Sequence, residues 1–393
     1  MFSKILSNGE THVLGLMSGT SGDGIDGALV TFRADGGFSL RWNDSETFPP
    51  EVRKHLQRLM AGCTSRDVML ASTFVGSLYS RAANAFLSRH HETVTMLAAH
   101  GQTLDHDPDG LDWDGIPVRG SLQVLNAGLL AEETGIPVAY DFRTRDMAVG
   151  GQGAPLVPFG DLRFFGHLCK KGLLVLNVGG IANVTVIRPD SNTKIAGISA
   201  AFDTGPGNML MDALADRLSG GAESFDRGGR IAKSGVSDPR LLAELLADSF
   251  LEKSPPKSTG RDRFGRLRLE GIRQSWCGRM PPEAMMSTLL DLTVESIGRA
   301  VEKFICPEGP LDLAIVAGGG ASNEELVRRL SSRLSCVCPV RISRDFGVPV
   351  QAREAMGFAA LGDALVRGVP ANVPAATGAG RRVLLGAWVP GRA

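Results

Sequence analysis

The pattern that most constrains the fold of this chain occurs twice: an apolar strand pattern, a glycine-rich turn and a second strand pattern. It lies at residues 13–32 and again at residues 172–187, about 160 residues further on. Apolar runs on either side of such a turn are typical of antiparallel strands. A repeat of this kind, although weak, indicates a duplicated domain. Two similar domains facing each other would leave a cleft lined by both turns, so we predict a two-domain α/β protein.

The composition is that of a globular protein without bulk charge. The 393 residues suffice for about two domains, and 43% of them are hydrophobic and 21% charged. Lysine plus arginine and aspartate plus glutamate both number 42, which argues against a nucleic-acid or membrane partner. No apolar run approaches the ~18 residues of a membrane-spanning helix, and the N-terminus lacks a secretory signal pattern. The six scattered cysteines are expected to be reduced, and the sequence predicts a cytoplasmic protein.

The spacing of apolar residues predicts the remaining elements. Besides the two repeats, strands are expected at 38–48, 93–103, 135–143 and 381–388, and helices at 66–91, 123–134, 209–218, 283–304 and 352–368. Residues 311–330 are expected to form a strand, the GGG turn and then a helix that begins after an Asn or Ser cap. Two further glycine turns follow strand patterns, GGIAN at 179–183 and GGG at 318–320. This alternation of strands and helices fits the α/β class.

The first turn, within GLMSGTSGDGIDGALV at residues 15–30, contains a match to the dinucleotide-binding fingerprint. Residues 22–27, GDGIDG, satisfy G-x-G-x-x-G, but that fingerprint requires a helix to begin at the glycines. The continuation IDGALVTF is instead a strand pattern, so we do not expect a dinucleotide-binding fold. A Walker A loop is excluded as well, since the chain contains no G-K-[ST].

The same turn has the composition of a phosphate-binding hairpin. Successive N–H groups in a glycine-rich bend form an anion-binding nest, and Thr20 and Ser21 can donate hydroxyl hydrogen bonds. Asp23 and Asp26 would repel bare phosphate but suit a hydrated Mg²⁺ that bridges phosphate oxygens. The alternative is a tight hairpin whose aspartates and glycines serve only the turn geometry. The GGIAN and GGG turns leave the same two interpretations open.

Four polar side chains elsewhere are candidates for chemistry. Asp203 lies where an apolar strand ends at a sharp turn, which suits a general base. The alternative is an N-cap of the next helix, although Asn208 stands closer to that helix. His100 ends a strand and either contacts a ligand or is a structural histidine. Arg143 and Arg261 adjoin Gly- or Pro-rich loops, where they either bind a carboxylate or phosphate group or form surface ion pairs.

Eight stretches in order along the chain resemble those of the anhydro-N-acetylmuramic acid kinase family. The resemblance covers nearly the whole chain, and eight ordered motifs are far more specific than one glycine-rich match. The stretches are MSGTSGDGID (17–26), HGQTLDHDP (100–108), DFRTRDMAVGGQGAPLVP (141–158), LNVGGIANVT (176–185), FDTGPGN (202–208), STGRDRFG (258–265), VAGGGASN (316–323) and GVPVQAREAMGFAALGDALVRGVPANVPAATGA (347–379).

This resemblance implies a member of the sugar kinase, heat-shock chaperone and actin superfamily, with two RNase H-like domains around a deep interdomain cleft that holds ATP. It predicts an N-terminal domain at 1–138, completed by 381–393, and a C-terminal domain at 139–380. The residues that it assigns to ATP are Gly19, Thr20, Ser21, Gly22, Asp23, Gly24, Ile25 and Asp26 in the first turn, and Gly179, Gly180, Asn183, Gly318, Gly319 and Gly320 in the later turns.

The implied reaction opens a bridged sugar and phosphorylates it. In 1,6-anhydro-N-acetylmuramic acid, O6 bridges to C1. By the family pattern, Asp203 is the general base on a water that attacks C1, and O6 takes the γ-phosphoryl group of ATP. The product is N-acetylmuramic acid 6-phosphate, an intermediate of peptidoglycan recycling. The resemblance also implies substrate contacts from His100, Gln102 and Arg143, the cofactors ATP and Mg²⁺, and a homodimer.

Two positions depart from the family pattern. Gly22 stands where relatives carry a larger apolar residue, which predicts a looser phosphate turn. Leu125 and Asn126 replace a Gly-Asp pair, which predicts altered substrate contacts. Two other functions stay open at this point: a kinase for another 1,6-anhydro sugar such as levoglucosan, and a non-catalytic nucleotide switch of the actin or chaperone type.

Overall fold

A computed structural model describes Leu6 and residues 9–19, 22–191, 193–276 and 278–392. The strands are β1 (Thr11–Met17), β2 (Gly24–Phe32), β3 (Phe38–Thr47), β4 (Met96–Ala99), β5 (Gln102–Trp113), β6 (Ile116–Val124), β7 (Val138–Tyr140), β8 (Leu173–Val178), β9 (Ile181–Pro189), β10 (Ala196–Pro206), β11 (Leu313–Ala317), β12 (Val340–Ile342) and β13 (Ala387–Val389).

The helices alternate with these strands. They are α1 (Pro50–Ala61), α2 (Ser65–His90), α3 (Ala127–Thr134), α4 (Thr144–Met147), α5 (Val157–Phe165), α6 (Met209–Leu218), α7 (Arg230–Ser234), α8 (Pro239–Leu246), α9 (Ser249–Glu252), α10 (Arg261–Phe264), α11 (Arg266–Trp276), α12 (Pro282–Ala300), α13 (Glu324–Arg333), α14 (Arg353–Val366) and α15 (Pro374–Thr377). Within the described residues, no helix combines the length and the apolar character needed to cross a membrane.

The chain divides into two compact units. Unit 1 comprises residues 1–164 and 351–393, and unit 2 comprises residues 165–350. The predicted division gave unit 1 only residues 1–138 and the last strand. The difference arises because α14 packs against β1, β2 and β4, so the chain has returned to unit 1 before that helix begins. Packing of this kind depends on contacts between residues far apart in sequence, which local patterns do not reveal.

Unit 1 is built on a six-stranded sheet in the order β13-β7-β4-β1-β2-β3. The strands β1, β2 and β3 form an antiparallel meander, whereas β4 runs parallel to β1 and β7 runs parallel to β4. The central strand β1 is almost entirely buried, as expected for a strand that is covered on both faces. The helix α2 starts with a capping box formed by Thr64 and Asp67, which satisfies two of its free N–H groups.

Unit 2 repeats this arrangement in a five-stranded sheet. Its order is β10-β9-β8-β11-β12, with β8, β9 and β10 antiparallel and β11 and β12 parallel to β8. Three antiparallel strands followed by two parallel ones is the RNase H-like order that unit 1 also shows. The α/β class and the duplicated strand–turn–strand pattern are therefore confirmed. The buried helix α12 packs against β10 and against α7, α8 and α13.

A long hairpin in unit 1 was not predicted from the sequence. It consists of β5 and β6, which pair only with one another in the described residues. Its outer part is exposed, including the large apolar side chains of Leu111, Trp113 and Ile116. The sequence analysis predicts a loop after residue 103, although Leu111, Trp113, Ile116 and Val118 alternate with other residues around Asp114-Gly115, a typical two-residue hairpin turn. The helix expected at 123–134 accordingly begins four residues later, at Ala127.

We expect that Gly15→Ala will destabilise the protein by about 3 kcal/mol, the upper end of the usual cost of overpacking a core. A Cβ at residue 15 would lie 1.9 Å from the Ala355 carbonyl oxygen and 2.8 Å from the Ala359 nitrogen, both backbone atoms of α14. The matched control is Gly357→Ala on the same helix, where a Cβ meets no atom within 4 Å. That change should be neutral or stabilising by up to about 1 kcal/mol, since alanine is the better helix former. Urea unfolding measures both, and equal stabilities would contradict the inferred contact.

Candidate active site

The first glycine turn joins β1 to β2 in unit 1. Thr20 and Ser21, to which phosphate contacts were assigned, lie outside the described residues. Gly22 has φ of +60° and donates its N–H to the Gly19 carbonyl oxygen at 3.1 Å. Glycine adopts this left-handed conformation at little cost, whereas a larger residue does so with strain. The departure at Gly22 thus suits the turn found here.

The side chain of Gln102 forms hydrogen bonds to two residues of this turn. The Ser18 hydroxyl donates to Gln102 Oε1 at 3.0 Å, and Gln102 Nε2 donates to the Gly19 carbonyl oxygen at 3.2 Å. The side chain is 1% exposed. Because Gln102 is the first residue of β5, the hairpin is bonded directly to the glycine turn. These bonds show that the Gln102 amide positions the turn; the substrate contact expected for it remains a prediction.

His100 forms hydrogen bonds both to the first glycine turn and to Arg143. His100 Nδ1 lies 3.0 Å from the Ser18 carbonyl oxygen, which can only accept a hydrogen bond, so Nδ1 carries the proton. His100 Nε2 is then free to accept from Arg143 Nη2 at 3.0 Å. Burial lowers the pKa of His100 to about 3, with Arg143 contributing. The histidine is therefore neutral, and both of its ring nitrogens are engaged in positioning other groups.

Arg143 retains hydrogen-bonding capacity. Its Nη1 donates to the Gly153 carbonyl oxygen at 2.8 Å, while its buried Nε has no hydrogen-bond partner among the described residues. Burial lowers the pKa of the guanidinium, and Glu354 opposes that effect. A half-buried arginine with an unsatisfied donor suits an anionic ligand, since arginine binds carboxylate and phosphate groups through paired N–H donors.

The loop that holds Arg143 is anchored by Asp146, whose side chain is completely buried. Asp146 accepts from the Gly153 N–H at 2.8 Å, and also from Asn372 Nδ2 and the Thr377 hydroxyl, each at 2.9 Å. Through these hydrogen bonds, Asp146 connects the loop around residue 150 to the segment 372–377, more than two hundred residues later in the chain.

Asp26 lies at the start of β2, close to two other carboxylates. Burial raises its pKa to about 6, and the charges of Asp23 and Glu354 add to the shift. No group of three His, Cys, Asp or Glu side chains in the described part of the chain is arranged as a direct metal site. This arrangement fits a cation that keeps its own water ligands, because such an ion would relieve the repulsion without a close protein cage.

In unit 2, three turns of the chain meet at the ends of β8 and β11. The N–H of Asn208 donates to the Gly179 carbonyl oxygen at 2.7 Å. The N–H of Gly207 donates to the Gly180 carbonyl oxygen at 2.9 Å. Gly318 has φ of +74°, and a Cβ there would lie 2.7 Å from Asn177 Oδ1. The GGIAN and GGG turns and the Gly-Pro-Gly segment at 205–207 thus lie close together, where larger residues would clash with the neighbouring backbone.

The side chain of Asn208 does not cap helix α6, although the sequence makes it the better candidate for that cap. It occupies the N-cap position of α6, but its side chain makes no capping hydrogen bond. Its Nδ2 instead donates to the Val178 carbonyl oxygen at 3.0 Å. The side chain therefore ties the helix to the end of β8 rather than satisfying the helix N–H groups.

Asp203 lies on β10, opposite Asn183 of β9 in the register of the sheet. Its Oδ2 accepts the N–H of Thr259 at 2.8 Å, and its own N–H donates to the Lys257 carbonyl oxygen at 3.1 Å. Burial raises the pKa of Asp203 to about 6, while the Thr259 N–H and the charge of Lys257 oppose the rise. A carboxylate with a pKa near neutrality is suited to proton transfer. Asp203 is not the N-cap of α6, which begins at Met209.

Lys257 was not recognised from the sequence. Its side chain is 8% exposed, and its Nζ donates to the carbonyl oxygens of Phe250 at 3.2 Å and Leu251 at 3.1 Å. The ammonium also lies over the rings of Phe250 and Phe304, at 4.8 and 5.0 Å from their centroids. It therefore holds the loop that presents the Thr259 N–H. The two prolines before it, which break helix and sheet, are the only local signal that could have drawn attention to it.

Comparison with known proteins identifies the family. The family model for anhydro-N-acetylmuramic acid kinase matches residues 11–391. The chain belongs to the anhydro-N-acetylmuramic acid kinase family. The relative of that name from Salinibacter ruber is 41% identical over 96% of each chain, and that from Shewanella oneidensis is 39% identical over 96% of this chain and 98% of its own. The relative from Caldanaerobacter subterraneus subsp. tengcongensis is 35% identical over 98% of both chains.

As a member of the anhydro-N-acetylmuramic acid kinase family, the protein is a phosphotransferase with an alcohol group as acceptor. The residues predicted to serve this kinase fall into two groups. Unit 1 brings the first turn together with Gln102, His100 and Arg143. Unit 2 brings Asp203 and Asn183 together on adjacent strands, and the later glycine turns together at the strand ends. Arg261 begins α10 as an exposed side chain.

The second departure from the family pattern has a structural explanation. Asn126 is the N-cap of α3, and its Oδ1 accepts the N–H of Leu129 at 2.9 Å. Asparagine and aspartate cap helices about equally well. The lost carboxylate at this position is therefore compensated locally, and the expected change in substrate contacts is not needed to explain it.

We expect the Asp203 carboxyl of this kinase to titrate at about pH 6, and at a higher pH in a Lys257→Met variant. Burial raises the pKa of Asp203, and the positive charge of Lys257 lowers it. Removing that charge should therefore raise the pKa of Asp203 further. ¹³C NMR of the labelled aspartate carboxyl carbons measures the shift. The control is Lys253→Met, an exposed lysine four residues earlier, which should leave the midpoint unchanged. An unaltered midpoint in Lys257→Met would contradict the inferred coupling.

Proposed function

We propose that this chain opens the anhydro ring of 1,6-anhydro-N-acetylmuramic acid and phosphorylates O6 with ATP, giving N-acetylmuramic acid 6-phosphate and ADP. The observation that carries this proposal is the environment of Asp203. Its carboxyl is largely buried, accepts one backbone N–H and has a pKa of about 6. Those properties suit a group that is ionised at neutral pH and can take a proton from water.

Asp203 is assigned the general base. It removes a proton from a water molecule, whose oxygen attacks C1 of the sugar as the C1–O6 bond breaks. The electron pair of that bond goes to O6, which attacks the γ-phosphorus of ATP, and ADP leaves. No general acid is required, because the phosphoryl group takes the place of a proton on the departing oxygen. Attack opposite the leaving oxygen predicts inversion at C1, as in inverting glycoside hydrolysis.

The glycine turns are assigned to ATP. Phosphoryl transfer depends on positioning and on neutralisation of charge, and backbone N–H groups of tight glycine turns supply both. Mg²⁺, when bound, would neutralise phosphate charge near Asp26 and Asp23, whose mutual repulsion a cation relieves. His100 stays neutral and keeps Arg143 in place. Arg143 is assigned the lactyl carboxylate of the sugar, since its Nε is a buried donor without a partner among the described residues.

The proposed reaction places the protein in the reuse of peptidoglycan fragments. Such fragments are processed inside the cell, so we propose a cytoplasmic location. We further propose a homodimer, on the family resemblance alone; sedimentation equilibrium tests this.

The first experiment supplies Mg·ATP and the anhydro sugar in ¹⁸O-labelled water and measures the mass of the sugar product. We expect one phosphoryl group and one ¹⁸O atom, the latter at C1. Asp203→Asn should lower the rate at least ~10³-fold for ring opening and phosphorylation alike, because both await the same proton transfer. In the wild type, kcat/KM should fall tenfold per pH unit below about pH 6, where Asp203 becomes protonated.

Other outcomes of that experiment are informative. Phosphorylation of levoglucosan but not of the muramic acid derivative would overturn the substrate assignment. Binding or hydrolysis of ATP with neither sugar consumed would instead favour a nucleotide switch.

We expect Arg143→Met to lower kcat/KM for 1,6-anhydro-N-acetylmuramic acid about 100-fold, the usual effect of removing one partner of a buried charge pair. The same variant should act on the neutral amide of that sugar almost as well as the wild type does. Arg145→Met, two residues away on an exposed position, serves as the control and should change neither rate. An equal loss on the acid and on the amide would contradict a contact between Arg143 and the carboxylate.

A further inference from the structure

Unit 2 contains a cavity of about 400 Å³, here called the cationic groove, between the segment 227–233 and the start of α13. The charged residues that line it are Arg227, Arg230, Lys233, Glu324, Glu325 and Arg328. None of them is assigned to ATP or to the anhydro sugar. Four cations and two carboxylates leave this wall with an excess of two positive charges.

The two walls of the cationic groove are fixed to each other by the fold. A Cβ at Gly229, where φ is +75°, would lie 2.3 Å from Asn323 Oδ1, so glycine lets the segment 227–233 pack directly against the start of α13. Arg329 Nη2 of α13 donates to the Ala232 carbonyl oxygen at 3.3 Å. Asp226 accepts the N–H of Ala232 at 3.0 Å. The spacing of the cations is therefore set by backbone and buried contacts.

Three of the cations follow one another at intervals of three residues. Arg227, Arg230 and Lys233 therefore share one side of their helical segment, where like charges repel each other. Arg227 has a partner in Glu223 at 3.3 Å, although both side chains are largely exposed. Among the residues that the structure describes, the side chains of Arg230 and Lys233 form no hydrogen bond or ion pair. An anion in the groove would relieve this repulsion.

The two carboxylates of the groove have different roles. Glu325 is buried and accepts from Arg328 at 2.7 and 2.8 Å and from Arg329 at 2.7 Å, and these bonds lower its pKa to about 2. Its charge is thus fully engaged within α13. Glu324 is exposed and has no partner in the described part of the chain. It is an available acceptor for hydroxyl groups of a ligand.

The charge and the size of the groove define the class of ligand. An excess of two positive charges suits a phosphate monoester, which carries about −1.5 to −2 at pH 7. Arginine binds phosphate through paired N–H donors, and lysine binds it as a point charge. The volume of about 400 Å³ lies in the range of small-molecule sites and exceeds what a phosphate group alone would fill. The remainder of the ligand would meet Glu324, which favours a molecule with hydroxyl groups.

We propose that the cationic groove binds a phosphorylated sugar, with Arg230 and Lys233 contacting the phosphate group and Glu324 accepting from the sugar hydroxyls. This site is additional to the residues assigned to the reaction. Two sources share the required chemistry: the product of the proposed reaction, N-acetylmuramic acid 6-phosphate, and other sugar phosphates of the cell.

The test measures the affinity of glucose 6-phosphate, N-acetylmuramic acid 6-phosphate, inorganic phosphate and glucose by isothermal titration calorimetry. Saturating Mg·ADP occupies the nucleotide site, and the ionic strength is held constant. The wild type should bind both phosphorylated sugars and should not bind glucose. The double variant Arg230→Gln/Lys233→Gln should bind glucose 6-phosphate at least ~10-fold more weakly, as expected for the loss of hydrogen bonds to a charged group.

Glu324→Ala tests the contact with the sugar part. Removing this negative charge should favour any phosphate, so the informative quantity is the affinity of glucose 6-phosphate relative to inorganic phosphate. That ratio should fall at least ~5-fold, because a hydroxyl acceptor is lost. An unchanged ratio would overturn the assignment of Glu324.

The matched control is Arg240→Gln/Lys253→Gln, which removes two exposed cations of unit 2 that do not line the groove. It should bind glucose 6-phosphate within about twofold of the wild type. Both double variants should stay folded in thermal unfolding and keep kcat/KM for the kinase reaction within about twofold, since neither alters a residue assigned to it.

The comparison of the two sugar phosphates identifies the source. A larger loss for N-acetylmuramic acid 6-phosphate than for glucose 6-phosphate in Arg230→Gln/Lys233→Gln would identify the product as the ligand. The opposite order would identify another sugar phosphate.

Four outcomes would overturn the inference. In the first, Arg230→Gln/Lys233→Gln binds glucose 6-phosphate as the wild type does. In the second, the control variant loses as much affinity, so that only bulk charge is involved. In the third, the wild type does not bind glucose 6-phosphate more tightly than inorganic phosphate. In the fourth, the groove variant raises KM for ATP at least ~10-fold, which would make the groove part of the nucleotide site. The proposed function stands in each case, provided that the wild type phosphorylates the anhydro sugar.

Discussion

The contact between Gly15 and α14 is the constraint on which unit 1 depends. Only glycine lets the central strand β1 approach the backbone of Ala355 so closely. The first residue of α14, Arg353, holds this helix in place through a buried bidentate ion pair with Asp161 of α5. Removing either partner would leave an uncompensated buried charge. The strand that ends in the glycine turn is therefore positioned by a helix that comes more than three hundred residues later.

The two units share one strand order but place different side chains near their glycine turns. In unit 1, the strand ends place a cation, Arg143, beside a neutral histidine and a glycine turn. In unit 2, carboxylates take this place, Asp203 on β10 and Asp212 on α6. Burial raises the pKa of both of these carboxyls to between about 6 and 7. Their environments differ, since Asp203 receives a backbone N–H and a nearby ammonium whereas Asp212 receives neither.

The sequence predicted those features that local patterns encode. The apolar runs around both glycine turns became β1–β2 and β8–β9, and the stripe at 283–304 became α12 with one further π-helical turn. Features that depend on distant contacts were missed. The return of the chain to unit 1, for example, depends on packing at Gly15. The exposed hairpin β5–β6, by contrast, has a local signal that was missed, because apolar residues alternate on both sides of Asp114-Gly115. Lys257 resembled a surface lysine, because no local pattern shows that two rings and two carbonyl oxygens enclose it.

The bonds from Asp146 to Asn372 and Thr377 have a consequence for biosynthesis. The loop with Arg143 reaches its final position only when those two residues are present. During translation they emerge long after the loop itself, because domains form from the N-terminal side as the chain grows. Unit 2 is one uninterrupted segment, residues 165–350, and is synthesised in full before them. The nascent chain therefore contains all of unit 2, including Asp203, before the bonds that anchor the loop of Arg143 can form.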